Sequence, residues 1–156
     1  MNLRFVSRAF VLDSDNNILL VRHQKDTPWV LPGGHLKQNE NPSRALRREI
    51  KEELGIGIEI LGIRNRTNDD MVMMLPLPVS MQELEYYDEE KDELIRKCEF
   101  RYFVRANSSD IQADEKEVKE SRRFSISELL ALISPREVYQ SMKDVLEQNE
   151  DLLELL

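Results

Sequence analysis

The chain predicts a mixed α/β domain, and three observations carry that expectation. Two apolar, β-branched runs near the start are split by a turn cluster, which is the pattern of a hairpin. A capped amphipathic helix then follows a short extended stretch. Further strand-like stretches lead to two more helix starts late in the chain. A length of 156 residues suits one domain, so residues 1–156 read as a single unit with a C-terminal helix from about residue 135. Hydrophobic residues make up 40%, enough for a real core, which excludes wholesale disorder.

The elements follow in order. Phe5 to Leu12 forms the first strand, Asp13-Ser14-Asp15-Asn16-Asn17 the turn, and Ile18 to Val21 the second strand. Trp29-Val30-Leu31 is a short extended piece running into Pro32-Gly33-Gly34. Asn41 N-caps the first helix, Pro42 suits its first turn, and Gly55 closes it in a left-handed conformation. Ala45, Leu46, Ile50 and Leu54 supply its apolar stripe. Ile56 to Arg66, Met71 to Leu77 and Cys98 to Arg105 read as strands, with a long connection from Pro76 to Lys97. Met71, Met73 and Met74 are then strand packing, Cys98 a small buried hydrophobe, and Tyr86, Tyr87, Tyr102 and Phe103 core or hairpin cover rather than a stacking platform. Ser125 with Glu128 makes a capping box, with Phe124 and Leu129 as a hydrophobic staple. Ser134-Pro135-Arg136-Glu137 repeats the box, with Ile133 and Val138 as its staple, and Val138, Met142, Val145 and Leu146 continue at helical spacing. The tail Leu152 to Leu156 extends that face and offers either a homodimer contact or packing on its own domain.

Charge narrows the function. Thirty acidic residues against 22 basic ones give net −8, which repels the backbone of long nucleic acid. Small anionic substrates remain open, because a bound divalent cation reverses the local sign. A lone cysteine excludes an internal disulfide framework and a cysteine-ligated metal site. The start lacks a signal peptide's apolar core and no stretch approaches a membrane span, so the expectation is a cytoplasmic chain with no membrane partner.

The chemistry gathers on the first helix. Glu49, Glu52 and Glu53 stand at i, i+3 and i+4, so they project within an arc of roughly 100° on one face. Like charges at that spacing repel, and the last turn of a helix prefers cations. A hard divalent cation such as Mg²⁺ or Mn²⁺ reverses both penalties, since it takes carboxylate, carbonyl and water oxygens. Gly33-Gly34 precedes the helix, and paired glycines let a backbone carbonyl approach an ion or phosphate closely. The expected geometry is a glycine loop facing a carboxylate-rich helix face. Arg64 and Arg66 alternate on the strand expected there, and with Arg8 and His35 they are candidates to touch a substrate phosphate or base. His23 reads as surface.

The run Gly34-x5-Glu40-x7-Arg48-Glu49-Ile50-x-Glu52-Glu53-x-Gly55-Ile56 resembles the signature of the Nudix hydrolases. Seven fixed residues and two aliphatics in register give a chance match on the order of 10⁻⁷. Trp29-Val30-Leu31-Pro32-Gly33-Gly34 is similar to the usual run into that box, and the resemblance extends over roughly residues 3 to 133. Three departures stand out: Asn39 where glycine is common, Phe124 where tryptophan is often found, and the long 76–97 segment. Asparagine is well tolerated in a left-handed turn.

The resemblance implies an α/β/α sandwich around a mixed sheet. It also implies Mg²⁺- or Mn²⁺-dependent cleavage of a phosphoanhydride in a nucleoside diphosphate joined to a moiety X. Nucleoside triphosphate, nucleotide sugar, ADP-ribose and dinucleoside polyphosphate are the substrate classes it leaves open. By position, Glu49, Glu52 and Glu53 become metal ligands with the Gly33 carbonyl. Glu49 is alternatively the base that deprotonates the attacking water, a role for which Glu115, Glu117 and Glu120 also compete. Arg48 orients the glutamates and Glu40 holds the loop. Two other outcomes share the fold: a non-catalytic nucleotide-metabolite sensor, and an isoprenoid diphosphate isomerase, which needs a catalytic cysteine that Cys98 does not obviously supply.

Overall fold

Strand β1 (Leu3–Leu12) is the axis of the molecule, and its alternating side chains are buried on both faces. The computed structural model describes residues 3–132 and 137–156. After β1 come β2 (Ile18–Arg22), β3 (Gly33–His35), α1 (Pro42–Leu54), β4 (Ile58–Ile60), β5 (Ser80–Asp88) and β6 (Glu93–Ala106). The chain then adds β7 (Glu120–Phe124), α2 (Ile126–Ala131), α3 (Gln140–Gln148) and α4 (Glu150–Glu154).

The strands form one mixed sheet in the order β4-β6-β1-β2-β7, with β3 beside β1 and β5 beside β6. Among the strands of the described residues, β1 and β6 are the one parallel pair, running from Leu3 against Arg96 to Leu12 against Arg105. The twofold period of the strands splits the core. Ala9, Val11, Tyr102 and Val104 face α1 and meet Leu46, Ile50 and Leu54. Phe10, Leu12 and Phe103 face the other way, onto Leu129 of α2, Met142, Val145 and Leu146 of α3, and Leu153 of α4. Helices therefore cover both faces, which is the expected α/β/α sandwich.

Local signals place α1. The Asn41 side chain accepts from the Arg44 N–H at 2.9 Å, and Gly55 sits at φ 69° with its N–H on the Lys51 carbonyl. Burying Leu46, Ile50 and Leu54 contributes about 1.5–3 kcal/mol each. At α2, Ser125 Oγ accepts from the Glu128 N–H at 3.1 Å, and Phe124 and Leu129 pack in one cluster.

Several expectations need correction. The strand expected over Ile56 to Arg66 is only Ile58–Ile60, and Arg64 and Arg66 lie in an exposed irregular segment. Met71 to Leu77 forms no strand, and Met71 is 92% exposed, so its methionines are not strand packing. The 76–97 connection contains β5, which pairs along β6, and β6 begins before Cys98. Cys98 is half-buried rather than a core residue, and Tyr86 and Tyr87 are exposed. The helix expected from about residue 135 starts at Gln140, because Val138 is bridged to Trp29 and the Glu137 carbonyl accepts from the Trp29 N–H. Ile133 and Ser134-Pro135-Arg136 fall outside the described residues. In the tail, Leu153 packs into the domain's own core while Leu155 is exposed. Among the described residues no helix is long and apolar enough to cross a membrane.

Candidate active site

The glycine loop and α1 are brought together by pairing across β1. Gly33 stands opposite Arg8 and Gly34 opposite Ser7, while Ser7 Oγ donates to the Pro42 carbonyl at 2.7 Å and so ties β1 to the start of α1. Gly33 has φ 142°, and a Cβ there would lie 2.8 Å from the Arg8 Cα. A Cβ on Gly34 would sit 2.6 and 2.7 Å from the two carboxylate oxygens of Glu49. Glycine is what allows this backbone to lie on the helix's acidic face.

Arg48 organises that face. Its Nε and Nη2 donate to both oxygens of Glu40 at 2.8 and 2.9 Å, a bidentate pair. Nη1 donates to Glu49 Oε1 at 2.9 Å and to Glu52 Oε2 at 3.2 Å, and Nη2 also reaches the His35 carbonyl at 3.0 Å. Glu40 accepts the Lys37 N–H as well, and these partners hold its carboxyl down at about 2, with Arg48 the larger cause. Asn39 adopts φ 70°, so asparagine does occupy the left-handed turn.

Glu53 is different. It is 3% exposed, and one long contact supports it, from the Gly33 N–H to Oε2 at 3.4 Å. Burial, reinforced by the charges of Glu49 and Glu117, pushes its carboxyl up to about 8.

The remaining candidates separate. Glu117 acts on Glu53 through its charge, and its segment is anchored to the end of α1 by the Asp114 N–H on the Glu53 carbonyl at 2.8 Å. Glu120 is paired with Arg22 at 3.4 Å in the β2–β7 ladder, and Glu115 is exposed on a turn. His35 borders a cavity of about 370 Å³ with Arg4, Phe5, Lys37 and Glu40. Desolvation and the cations Lys97, Arg8 and Arg4 hold its imidazole below the ordinary value. Arg8 lies on the other sheet face, bonded to Glu99 at 3.2 Å and to the Leu31 carbonyl at 3.0 Å. Arg64 and Arg66 join neither cavity. His23 is exposed, as expected.

Glu99 and Arg101, beside Arg8, were not reached from the sequence. The available signal is the alternation Lys97, Glu99, Arg101, which places three charges on one face of a strand that is apolar further along.

Among the described residues, no three His, Cys, Asp or Glu side chains are gathered as a ready-made metal cluster. Arg48 stands among Glu40, Glu49 and Glu52, bonding both oxygens of Glu40 and one each of Glu49 and Glu52. Glu49 Oε2, Glu52 Oε1 and Glu53 Oε1 have no hydrogen bond among the described residues. Three free carboxylate oxygens beside a glycine loop, one on a buried and poorly partnered carboxyl, fit a hard divalent cation.

A family model described as the NUDIX domain matches residues 3–148. Among curated proteins, an 8-oxo-dGTP diphosphatase of Proteus vulgaris is 33% identical over 57 residues, covering 34% of this chain and 51% of that protein. An RNA pyrophosphohydrolase of Halorhodospira halophila is 36% identical over 59 residues, covering 36% of this chain and 33% of the relative. The chain thus spans about half the length of the first of these relatives and a third of the second. The crystal structure of a NUDIX-family hydrolase from Clostridium perfringens matches with a TM-score of 0.69 at 21% identity, over 100% of this chain and 99% of the other. A MutT protein from Methanosarcina mazei matches with a TM-score of 0.65 at 18% identity, over 96% and 94% of the two chains. At these identities the structural likeness shows the fold.

Proposed function

Because this chain belongs to the NUDIX family, we propose that it is a metal-dependent hydrolase that cleaves a phosphoanhydride in a nucleoside diphosphate linked to a moiety X. The observation that carries this reading is that Glu49 and Glu53 lie against the glycine loop, each with a free carboxylate oxygen, while Arg48 ties Glu52 to the same helix face with one oxygen free. In this reading residues 1–156 act as one domain.

Glu49, Glu52 and Glu53 hold Mg²⁺ or Mn²⁺, with the Gly33 carbonyl as a further oxygen donor. When bound, the cation neutralises phosphate oxygens and lowers the pKa of a water. Arg48 fixes the rotamers of Glu49 and Glu52 by bonding one oxygen of each, which leaves the other oxygen of each free for a cation. Glu40 in turn fixes Arg48, so the order of the site is set by a chain of charge-assisted bonds running back to the Lys37 turn. Gly34, with no side chain, leaves room for the Glu49 carboxylate against the loop. The proton of the attacking water goes to a carboxylate: Glu49, which keeps Oε2 free, and Glu117, whose charge acts on Glu53, are the candidates favoured over Glu120, which is held by Arg22. His35 and Arg8 flank the loop as the groups that meet the rest of the nucleotide.

The test is incubation of the purified protein with Mg²⁺ or Mn²⁺ and four substrate classes: nucleoside triphosphates, nucleotide sugars, ADP-ribose and dinucleoside polyphosphates. Products are identified by mass. Metal-dependent cleavage yielding a nucleoside monophosphate supports the reading. Tight binding of one compound without cleavage transfers the assignment to a nucleotide sensor.

A further inference from the structure

A cavity of about 520 Å³ opens on the sheet face opposite α1, between the β5–β6 hairpin and the start of α3. Arg8 and Arg101 are register partners on that face, two positions before Phe10 and Phe103. The cavity's charged and polar lining is Arg8, Gln82, Lys97, Glu99, Arg101 and Ser141. Its single carboxylate is already engaged, with Glu99 Oε1 accepting from Arg8 Nε at 3.2 Å and Oε2 from Gln82 Nε2 at 2.8 Å.

Among the described residues Arg101 has no bonded counter-charge, and the carboxylates of Glu99 and Asp144 act on it only from beyond ion-pair distance. Its side chain belongs to a residue that is 5% exposed, yet no carboxylate forms an ion pair with it among the described residues. Nε donates to Ser80 Oγ at 2.8 Å and Nη1 to Ser141 Oγ at 3.4 Å, both neutral, and Nη2 has no acceptor among the described residues. Guanidinium does not deprotonate in proteins, so the charge persists where desolvation disfavours it. A buried cation of this kind is ordinarily paired. Lys97 adds a second cation. Tyr139, Ser141 and Met142 bring the start of α3 to the same wall, and that helix has no side-chain cap, so its first-turn N–H groups add partial positive charge. The cavity adjoins the glycine loop, because Arg8 pairs with Gly33 and its charge reaches Glu53.

We propose that Arg101, with Lys97 and the start of α3, binds a second anionic group of the substrate, a phosphate or carboxylate carried on X beyond the scissile diphosphate. This deepens the hydrolase reading and rests on it for the word substrate. The binding itself is testable without turnover.

Ribose 5-phosphate and glucuronate are titrated into metal-free protein by calorimetry, with ribose and glucose as uncharged controls. Binding of either charged sugar, no binding of the controls, and at least tenfold weaker binding by Arg101→Met are the expected results. Ribose 5-phosphate alone identifies a phosphate, glucuronate alone a carboxylate. Arg101→Lys, which keeps the charge, and Lys97→Met, on a more accessible side chain, provide the comparison if Arg101→Met does not fold. Failure of both charged sugars to bind, equal binding of the controls, or unchanged binding by Arg101→Met overturns the proposal. With Mg²⁺, UDP-glucuronate is expected to exceed UDP-glucose in kcat/KM by tenfold or more, and Arg101→Met to collapse that ratio. Absence of hydrolysis across all substrates would remove the hydrolase reading and leave the sugar titrations to decide this one.

Discussion

Replacing Glu53 by glutamine is expected to remove a loss of stability that rising pH imposes on the metal-free protein. The carboxyl is buried and held at about 8, against 4.5 for an ordinary glutamate. Its contribution is fully present below the unfolded value. It is lost as pH rises towards 8, because the unfolded chain ionises freely while the folded chain must ionise a buried group. Each pH unit inside that window removes at most about 1.4 kcal/mol, and the whole window is on the order of 5 kcal/mol. That is a large share of the roughly 5–15 kcal/mol that holds a typical domain together. Glutamine keeps an oxygen for the Gly33 N–H and never ionises. Glu53→Gln should therefore gain on the wild type as pH rises from 5 to 8. With a urea m-value of about 2 kcal/mol/M, the gap in midpoint should widen by up to roughly 0.7 M per pH unit in the presence of EDTA. Saturating Mg²⁺ should close the gap by stabilising the ionised wild-type carboxylate. Parallel pH profiles for the two proteins in EDTA would refute the reasoning.

Other perturbations follow from the same geometry. Arg48→Lys removes the two-pronged grip on Glu40 while keeping the charge, and should lower kcat by about 100-fold with little change in melting temperature, since a point charge cannot reproduce the fork. Gly34→Ala drives a Cβ to within 2.6 Å of a Glu49 oxygen, so weaker metal binding and lower turnover are expected, read by Mg²⁺ titration of the rate. Asn41→Ala loses the α1 N-cap and should destabilise by about 1 kcal/mol in urea unfolding without altering the metal dependence of turnover.

What could be read from the sequence was what is local. Helix α1 declared itself through Asn41, Pro42, Gly55 and one apolar stripe, all within a few turns of each other, and the spacing of Glu49, Glu52 and Glu53 placed them on one face. Strand β5 was hidden because Gln82, Glu83, Glu85 and Tyr87 give it no buried stripe; backbone pairing with β6 holds it. The opposite error arose at Met71 to Leu77, where an apolar run imitates a buried strand but lies on the surface. At α3, good capping residues suggested an earlier start, yet pairing with Trp29 keeps Val138 extended. Glu53 was legible as a box residue but not as a buried carboxyl with a raised pKa, since that depends on the glycine loop folding over it. Arg101 needed the parallel register of β1 with β6, a contact between distant parts of the chain.

Binding of Mn²⁺, followed by loss of the free-ion signal in electron paramagnetic resonance, tests the central claim most directly. The wild type is expected to remove at least one ion per chain from solution, Glu52→Gln to weaken this, and Glu49→Gln/Glu52→Gln/Glu53→Gln to abolish it while keeping the native circular dichroism spectrum. A triple variant that binds Mn²⁺ as well as the wild type would contradict it.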